Sequence, residues 1–128
     1  MTKDLDGLQV VTLEQAVAAP YASGKLAQAG ARVIKVEREE GDFARNYDND
    51  VNGLSAYFVW LNHGKESVCL NIKNNDDLTI LKNIISKSDI FIQNLMPGAT
   101  NRLGISSKSL REKFPTLITC DISGYGQH

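Results

Sequence analysis

The chain has 128 residues, fourteen basic and fifteen acidic side chains and a formal charge of −1, which is the size of one domain able to bury a core. That balance argues against a nucleic-acid binder held by a general basic field, and no apolar run approaches the roughly 18 residues of a membrane span. The opening "MTKDLDGLQVV" lacks the apolar segment and small-residue cleavage site of a secretory leader, so a cytoplasmic, reducing setting is expected.

In chain order, "LQVVTL" (8–13) is the first predicted strand, and Pro20 suits the first turn of a helix that runs to about Ala29 and closes at Gly30. "ARVIKV" (31–36) is the second strand and "SVCLNI" (67–72) the third. Asn75 or Asp76 can cap a helix to about Lys87, in which Leu78, Leu81, Ile84 and Ile85 recur at helical spacing. "DIFIQN" (89–94) is the fourth strand, "SSKSLREKF" (106–114) a short helix stopped by Pro115, and "LITCDI" (117–122) the fifth strand. Most of these strands are short and apolar on both faces, as expected for strands covered on both sides. The alternation predicts an α/β fold: a Rossmann-like three-layer sandwich around a mostly parallel sheet, with no internal domain boundary. Cys69 and Cys120 each lie in an apolar run, so two reduced, buried thiols are expected.

The sequence ends on "SGYGQH", a glycine loop directly after a strand. In open α/β sheets such loops carry ligands, so the expectation is an N-terminal fragment of a larger protein.

Familiar nucleotide motifs fail. No G-x-G-x-x-G follows the first strand, where "EQAVAAPYASG" stands instead, and Glu37 alone at the position of a ribose-binding acid is weak. "SGKL" (23–26) resembles part of a P-loop, but Ala19 and Leu26 replace required residues. His63 and the terminal His128 have no ligand partners at metal spacing, so no metal is expected. No G-x-S-x-G is present.

Three stretches are more pointed. "AVAAP" (16–20) places small residues in the turn after the first strand, suited to tight packing or to close approach of a ligand. "YFVWLNHGKESVCLNIK" (57–73) joins an aromatic helix face to a strand, with Lys65 and Lys73 at its edges, where solvated charge is the simplest reading. "NLMPGATNRLG" (94–104) is a Pro-Gly turn leading to Arg102. Each has an ordinary structural explanation, but Arg38, Lys73, Asn94 and Arg102 all follow predicted strand ends and so gather at one edge of the sheet. Cations and amide donors there suit a nucleotide phosphate. In "GARVIKVEREEGDFAR" (30–45), the four acids Glu37, Glu39, Glu40 and Asp42 are expected to cap turns and pair with Arg38 and Arg45 rather than react.

"LDGLQVVTLEQAVAAP", "LAQAGARVIKVEREEGDFAR", "LNHGKESVCLNIK", "SDIFIQNLMPGATNRLGI" and "FPTLITCDISGYGQ", in this order from about Leu5 to Gln127, resemble the opening of the family III CoA-transferases. "LEQAVAAP" with "FVWLNHGKES" looks most similar to members that act on itaconate, mesaconate, citramalate or malate. The resemblance implies a CoA-binding N-terminal domain over residues 1–128, with acyl-CoA and a small carboxylic acid as substrates and no tightly bound cofactor. It assigns Arg38 to the adenine nucleotide, and Leu70, Asn71, Ile72 and Lys73 to one CoA-contacting stretch. Asn94, Leu95 and Met96 form another, Arg102 is a further CoA-binding arginine, and Val17 and Ala18 lie near the thioester. The family nucleophile is an aspartate that matches none in this chain and is expected beyond residue 128, so no catalytic residue is assigned here. The resemblance further implies an interlocked homodimer for the full-length protein. An α-methylacyl-CoA racemase of the same family, or a CoA-binding module without chemistry, stays open on this stretch alone.

Overall fold

The computed structural model describes residues 1–126; Gln127 and His128 of the terminal loop lie outside the described residues. Five strands form one parallel sheet: β1 (Gln9–Leu13), β2 (Arg32–Glu37), β3 (Glu66–Cys69), β4 (Ile90–Gln93) and β5 (Ile118–Asp121), in the spatial order β3-β2-β1-β4-β5. The helices are α1 (Ala18–Gln28), α2 (Ala56–Asn62), α3 (Asn75–Ser86), α4 (Ala99–Arg102) and α5 (Ser107–Lys113), with a 3₁₀ turn at Phe43–Asn46. This is the expected Rossmann-like three-layer α/β arrangement.

Alternation along the strands divides the core into two faces. Val10, Val33 and Ile92 turn toward α1, where Ala19 is fully buried and Leu26 and Ala27 pack against them. Val11, Leu13, Val36 and Phe91 turn the other way and meet Leu81 and Ile85 of α3 and Leu110 of α5. The small residues of α1 allow close packing on its other side as well: a Cβ on Gly24 would lie 3.0 Å from the Leu61 carbonyl oxygen of α2. α1 begins two residues before Pro20, which sits in the first turn where its missing N–H breaks no helical bond.

Three expectations need correction. The third strand stops at Cys69 instead of running to Ile72, because Asn71 turns the chain out of the sheet. Its N–H donates to Asp77 Oδ2 at 2.7 Å, and its own Oδ1 accepts from the Lys73 N–H at 3.2 Å. The cysteines are exposed, not buried. β3 and β5 are the sheet edges, and both are largely exposed where strands covered on both sides were expected. The strand register puts Cys120 and Ile118 on the α1 side of the sheet, at the end away from β2, and Ile118 is 62% exposed.

The strand order reverses between β1 and β4. α1 crosses from β1 to its neighbour β2 on one side, whereas α3 carries the chain from β3 back to β4 on the other side of β1. A crevice at the C-terminal ends of the strands is the usual ligand position in such sheets.

Candidate functional site

A cleft of about 700 Å³ opens at this edge, within the usual range for small-molecule sites. The loop after β2 forms one wall, from Arg38 to Phe43. Leu70–Lys73 after β3 form the floor on one side, and Leu95, Met96 and Arg102 close the other. Eight of the eleven sequence-predicted residues therefore line one cavity: Arg38, Leu70, Asn71, Ile72, Lys73, Leu95, Met96 and Arg102. Ala18 and Asn94 line an adjoining depression of about 440 Å³ with Gln15 and the Ile122–Gly126 loop; Leu95 and Met96 border both spaces. Val17 lines neither cavity; it precedes α1 and is 39% exposed.

The cations are presented differently. Arg38 donates from Nε to the Gly41 carbonyl at 3.0 Å, and its guanidinium lies 4.3 Å from the centre of the Phe43 ring. Glu40 stands at 3.9 Å, too long and too exposed to hold it. The planar group is thus braced from below while remaining half exposed. Lys73 and Arg102 make no ion pair among the described residues. Three positive groups therefore line the same cleft, together with the exposed acids Glu39 and Glu40.

Of the four acids around the end of β2, Glu37 and Asp42 are structural partners, as the sequence suggests. Glu39 pairs with no cation among the described residues, and Glu40 only approaches Arg38 at 3.9 Å. Glu37 accepts two hydrogen bonds from Arg45, both at 2.8 Å, one from the Asp42 N–H at 3.0 Å and one from the Ser67 hydroxyl at 3.0 Å. Burial alone would raise its pKa, but these donors and the Arg45 charge outweigh burial and bring it down to about 2. Gly41 makes the turn tight: its φ is +79°, and a Cβ there would come within 2.8 Å of Arg45 Cδ. Asp42 caps the 3₁₀ turn through the Ala44 N–H, while Glu39 and Glu40 stay exposed.

Beneath this wall lies a buried polar cluster that the sequence reading did not single out. Lys35 Nζ donates to Asp42 Oδ2 at 2.6 Å and to Asn62 Oδ1 at 2.8 Å. Lys65, expected as solvated charge, is instead buried. Its Nζ donates to Glu14 Oε1 at 2.7 Å, to the Pro20 carbonyl at 2.8 Å and to Asn62 Oδ1 at 3.1 Å. Burial lowers the Lys65 pKa and the nearby Lys35 charge adds to this, against the opposing charge of Glu14. The Ser23 hydroxyl completes the Glu14 carboxylate at 2.6 Å. One signal was present in the sequence: Lys35 lies between Ile34 and Val36 in an otherwise apolar strand.

Asn94 spends its side chain on the backbone of Gln15 across the point where the strand order reverses. It accepts from the Gln15 N–H and donates to the Gln15 carbonyl, both at 2.9 Å. Its role visible in the fold is to tie β4 to the turn after β1. Among the described residues no cluster of acids, histidines and cysteines is arranged to hold a metal ion, and no helix is long and apolar enough to cross a membrane.

A sequence profile described as CoA-transferase family III matches residues 5–128. The succinyl-CoA:glutarate CoA-transferase of Mus musculus is 36% identical over 127 residues, covering 98% of this chain and 29% of that protein. The acetyl-CoA:oxalate CoA-transferase of Acetobacter aceti is 38% identical over 123 residues, covering 95% of this chain and 32% of that protein. A CAIB/BAIF family protein from Brucella suis has a similar structure, with a TM-score of 0.92 at 34% identity, covering 100% of this chain and 35% of that one. The chain spans about a third of the length of these relatives.

Proposed function

Because this chain belongs to CoA-transferase family III, we propose that residues 1–128 are the CoA-binding domain of a longer enzyme that moves CoA from an acyl-CoA donor to a dicarboxylic acid. The observation that carries this reading is the cleft at the strand ends, where Arg38, Lys73 and Arg102 converge on one space. A planar arginine stacked on Phe43 suits adenine or phosphate, and the two remaining cations suit the other phosphates of the nucleotide. Leu70, Asn71, Ile72, Leu95 and Met96 then line the path of the cofactor-like arm. Asn94, Val17 and Ala18 set the turn near its reactive end. The names of the Mus musculus and Acetobacter aceti relatives, which specify glutarate and oxalate, support a dicarboxylate acceptor.

The chemistry proposed is covalent carboxylate catalysis by an aspartate outside these residues. The carboxylate attacks the donor thioester carbonyl and expels CoA thiolate, leaving a mixed anhydride. The thiolate then attacks the aspartyl carbonyl and releases the donor acid, and the reverse sequence loads the acceptor. CoA itself is a substrate, with no tightly bound cofactor required. The complete enzyme is proposed to be a cytoplasmic interlocked homodimer, in which a second copy covers exposed aromatic surface such as Tyr21, Tyr57 and Trp60.

The test is transfer itself. The complete protein with succinyl-CoA and a panel of dicarboxylic acids is expected to yield a new CoA ester, read by mass spectrometry, whereas residues 1–128 alone yield none. No ester with any acid would contradict the reading, as would turnover by the 128-residue chain.

A further inference from the structure

Two side chains from distant parts of the chain hold consecutive residues of the turn between β1 and α1. Asn94 holds both backbone polar groups of Gln15. Asp42 Oδ1 accepts from the Ala16 N–H at 2.8 Å and from the Ala44 N–H at 3.0 Å. Ala16 has a φ of 63°, in the left-handed region, which a residue with a Cβ holds only when its surroundings impose it. The following residue, Val17, is the N-cap of α1 and offers no side-chain hydrogen bond to it. The shape of this turn is therefore imposed from outside its own sequence.

Asp42 is itself oriented. Its second oxygen accepts from Lys35 Nζ at 2.6 Å, and the two side chains are 0% and 1% exposed. Lys35 is fixed in turn by Asn62 of α2 at 2.8 Å. A buried ion pair is a weak device for stability, since an apolar pair of similar volume often does as well. An apolar pair could not present an acceptor to the Ala16 N–H. We infer that Asp42, oriented by Lys35, is a positioning residue that holds Ala16 in its left-handed conformation and so sets Gln15 and Ala18 at the crevice. This inference rests on the CoA-transfer reading, because what it positions is the turn placed near the reactive end of the substrate.

Two charge-neutral double variants of the complete protein separate positioning from bulk stability. Lys35→Met with Asp42→Ala removes the acceptor for the Ala16 N–H without leaving a buried charge alone. Lys35→Gln with Asp42→Asn keeps an acceptor oxygen there and satisfies the amide N–H of residue 42. The first is expected to lower kcat about 10- to 100-fold with the KM for acyl-CoA within about twofold, since loss of reacting geometry affects turnover more than nucleotide binding. The second is expected to restore kcat to within a few-fold of the parent. Asp48→Ala, which removes the carboxylate bonded to the Ala56 N–H at 2.7 Å away from the crevice, serves as the stability control.

Amide exchange over residues 13–18, read by mass spectrometry, needs no activity. Protection of Ala16 should be lost in the first variant and kept in the second. If the complete protein transfers no CoA, the functional reading fails while exchange still decides whether Asp42 holds the turn. Equal kcat in the two double variants, a loss that merely follows thermal stability as in Asp48→Ala, or unchanged Ala16 protection in the first variant would overturn the inference.

Discussion

The Lys65 ammonium group lies 2.7 Å from the Glu14 carboxylate, with side chains 2% and 0% exposed, although the two residues are 51 positions apart. The pair joins the end of β1 to the chain entering β3, under the wall of the cleft. Removing Lys65 as Lys65→Met leaves the Glu14 charge buried, with Lys35 only at 3.6 Å, and should cost about 3–5 kcal/mol. Adding Glu14→Leu should recover most of that loss. Urea unfolding of the complete protein checks both, and a Lys65→Met variant within about 0.5 kcal/mol of the parent would contradict the account.

Glu37 supplies a pH dependence with a definite sign. Its folded pKa is about 2 against an ordinary value of 4.5, so the unfolded chain binds the proton first as pH falls. Its contribution is complete above pH 4.5 and is lost progressively toward about pH 2. The groups facing it are Arg45, the Asp42 N–H and the Ser67 hydroxyl, none of which titrates in that window. Glu37→Gln should therefore give a shallower fall in unfolding free energy between about pH 5 and about pH 3. Parallel curves for the variant and the parent would count against it.

Gly41→Ala forces a Cβ into the left-handed region and to within 2.8 Å of Arg45 Cδ, against the side chain that holds Glu37. A loss of roughly 1–3 kcal/mol is expected, visible as a lower Tm. An unchanged Tm would show that the turn relaxes freely.

Arg38→Ala and Arg102→Ala should each raise the KM for the acyl-CoA donor by about ten- to a hundredfold, the equivalent of roughly 1.5–3 kcal/mol for a lost charge-assisted contact. Turnover should change less, because on the proposed reading the contact would hold ground and transition states alike. Arg38→Lys should not restore binding, since an ammonium cannot reproduce the planar group stacked on Phe43. If Arg38 only paired with Glu40 at the surface, the KM would stay unchanged and the stability change would be below about 1 kcal/mol.

What could be read from the sequence was what local pattern encodes. The strands around Val10, Val33 and Phe91 announce themselves by short, mostly apolar β-branched runs, and their C-terminal loops share one edge once the sheet is parallel. Parallel pairing alone therefore brings Arg38, Lys73 and Arg102 to one edge. Strand order is a tertiary property, so nothing local marked β3 and β5 as edges or Cys69 and Cys120 as exposed. The Asn71 turn that ends β3 also escaped notice, because "LNI" continues the apolar run while the Asp77 carboxylate that captures its backbone comes six residues later. The buried cluster of Glu14, Lys35, Asp42 and Lys65 depends on partners brought together by the fold. Only the charge of Lys35 inside an apolar strand hinted at it.

The most direct test of the central claim is a crystal structure of the complete protein with CoA bound. The account predicts the adenosine phosphate end in the cleft, with Arg38 over the adenine or a phosphate and Lys73 and Arg102 on the remaining phosphates. The thiol end should reach the turn at Gln15–Ala18. CoA seated elsewhere on the protein, with this cleft empty, would contradict it.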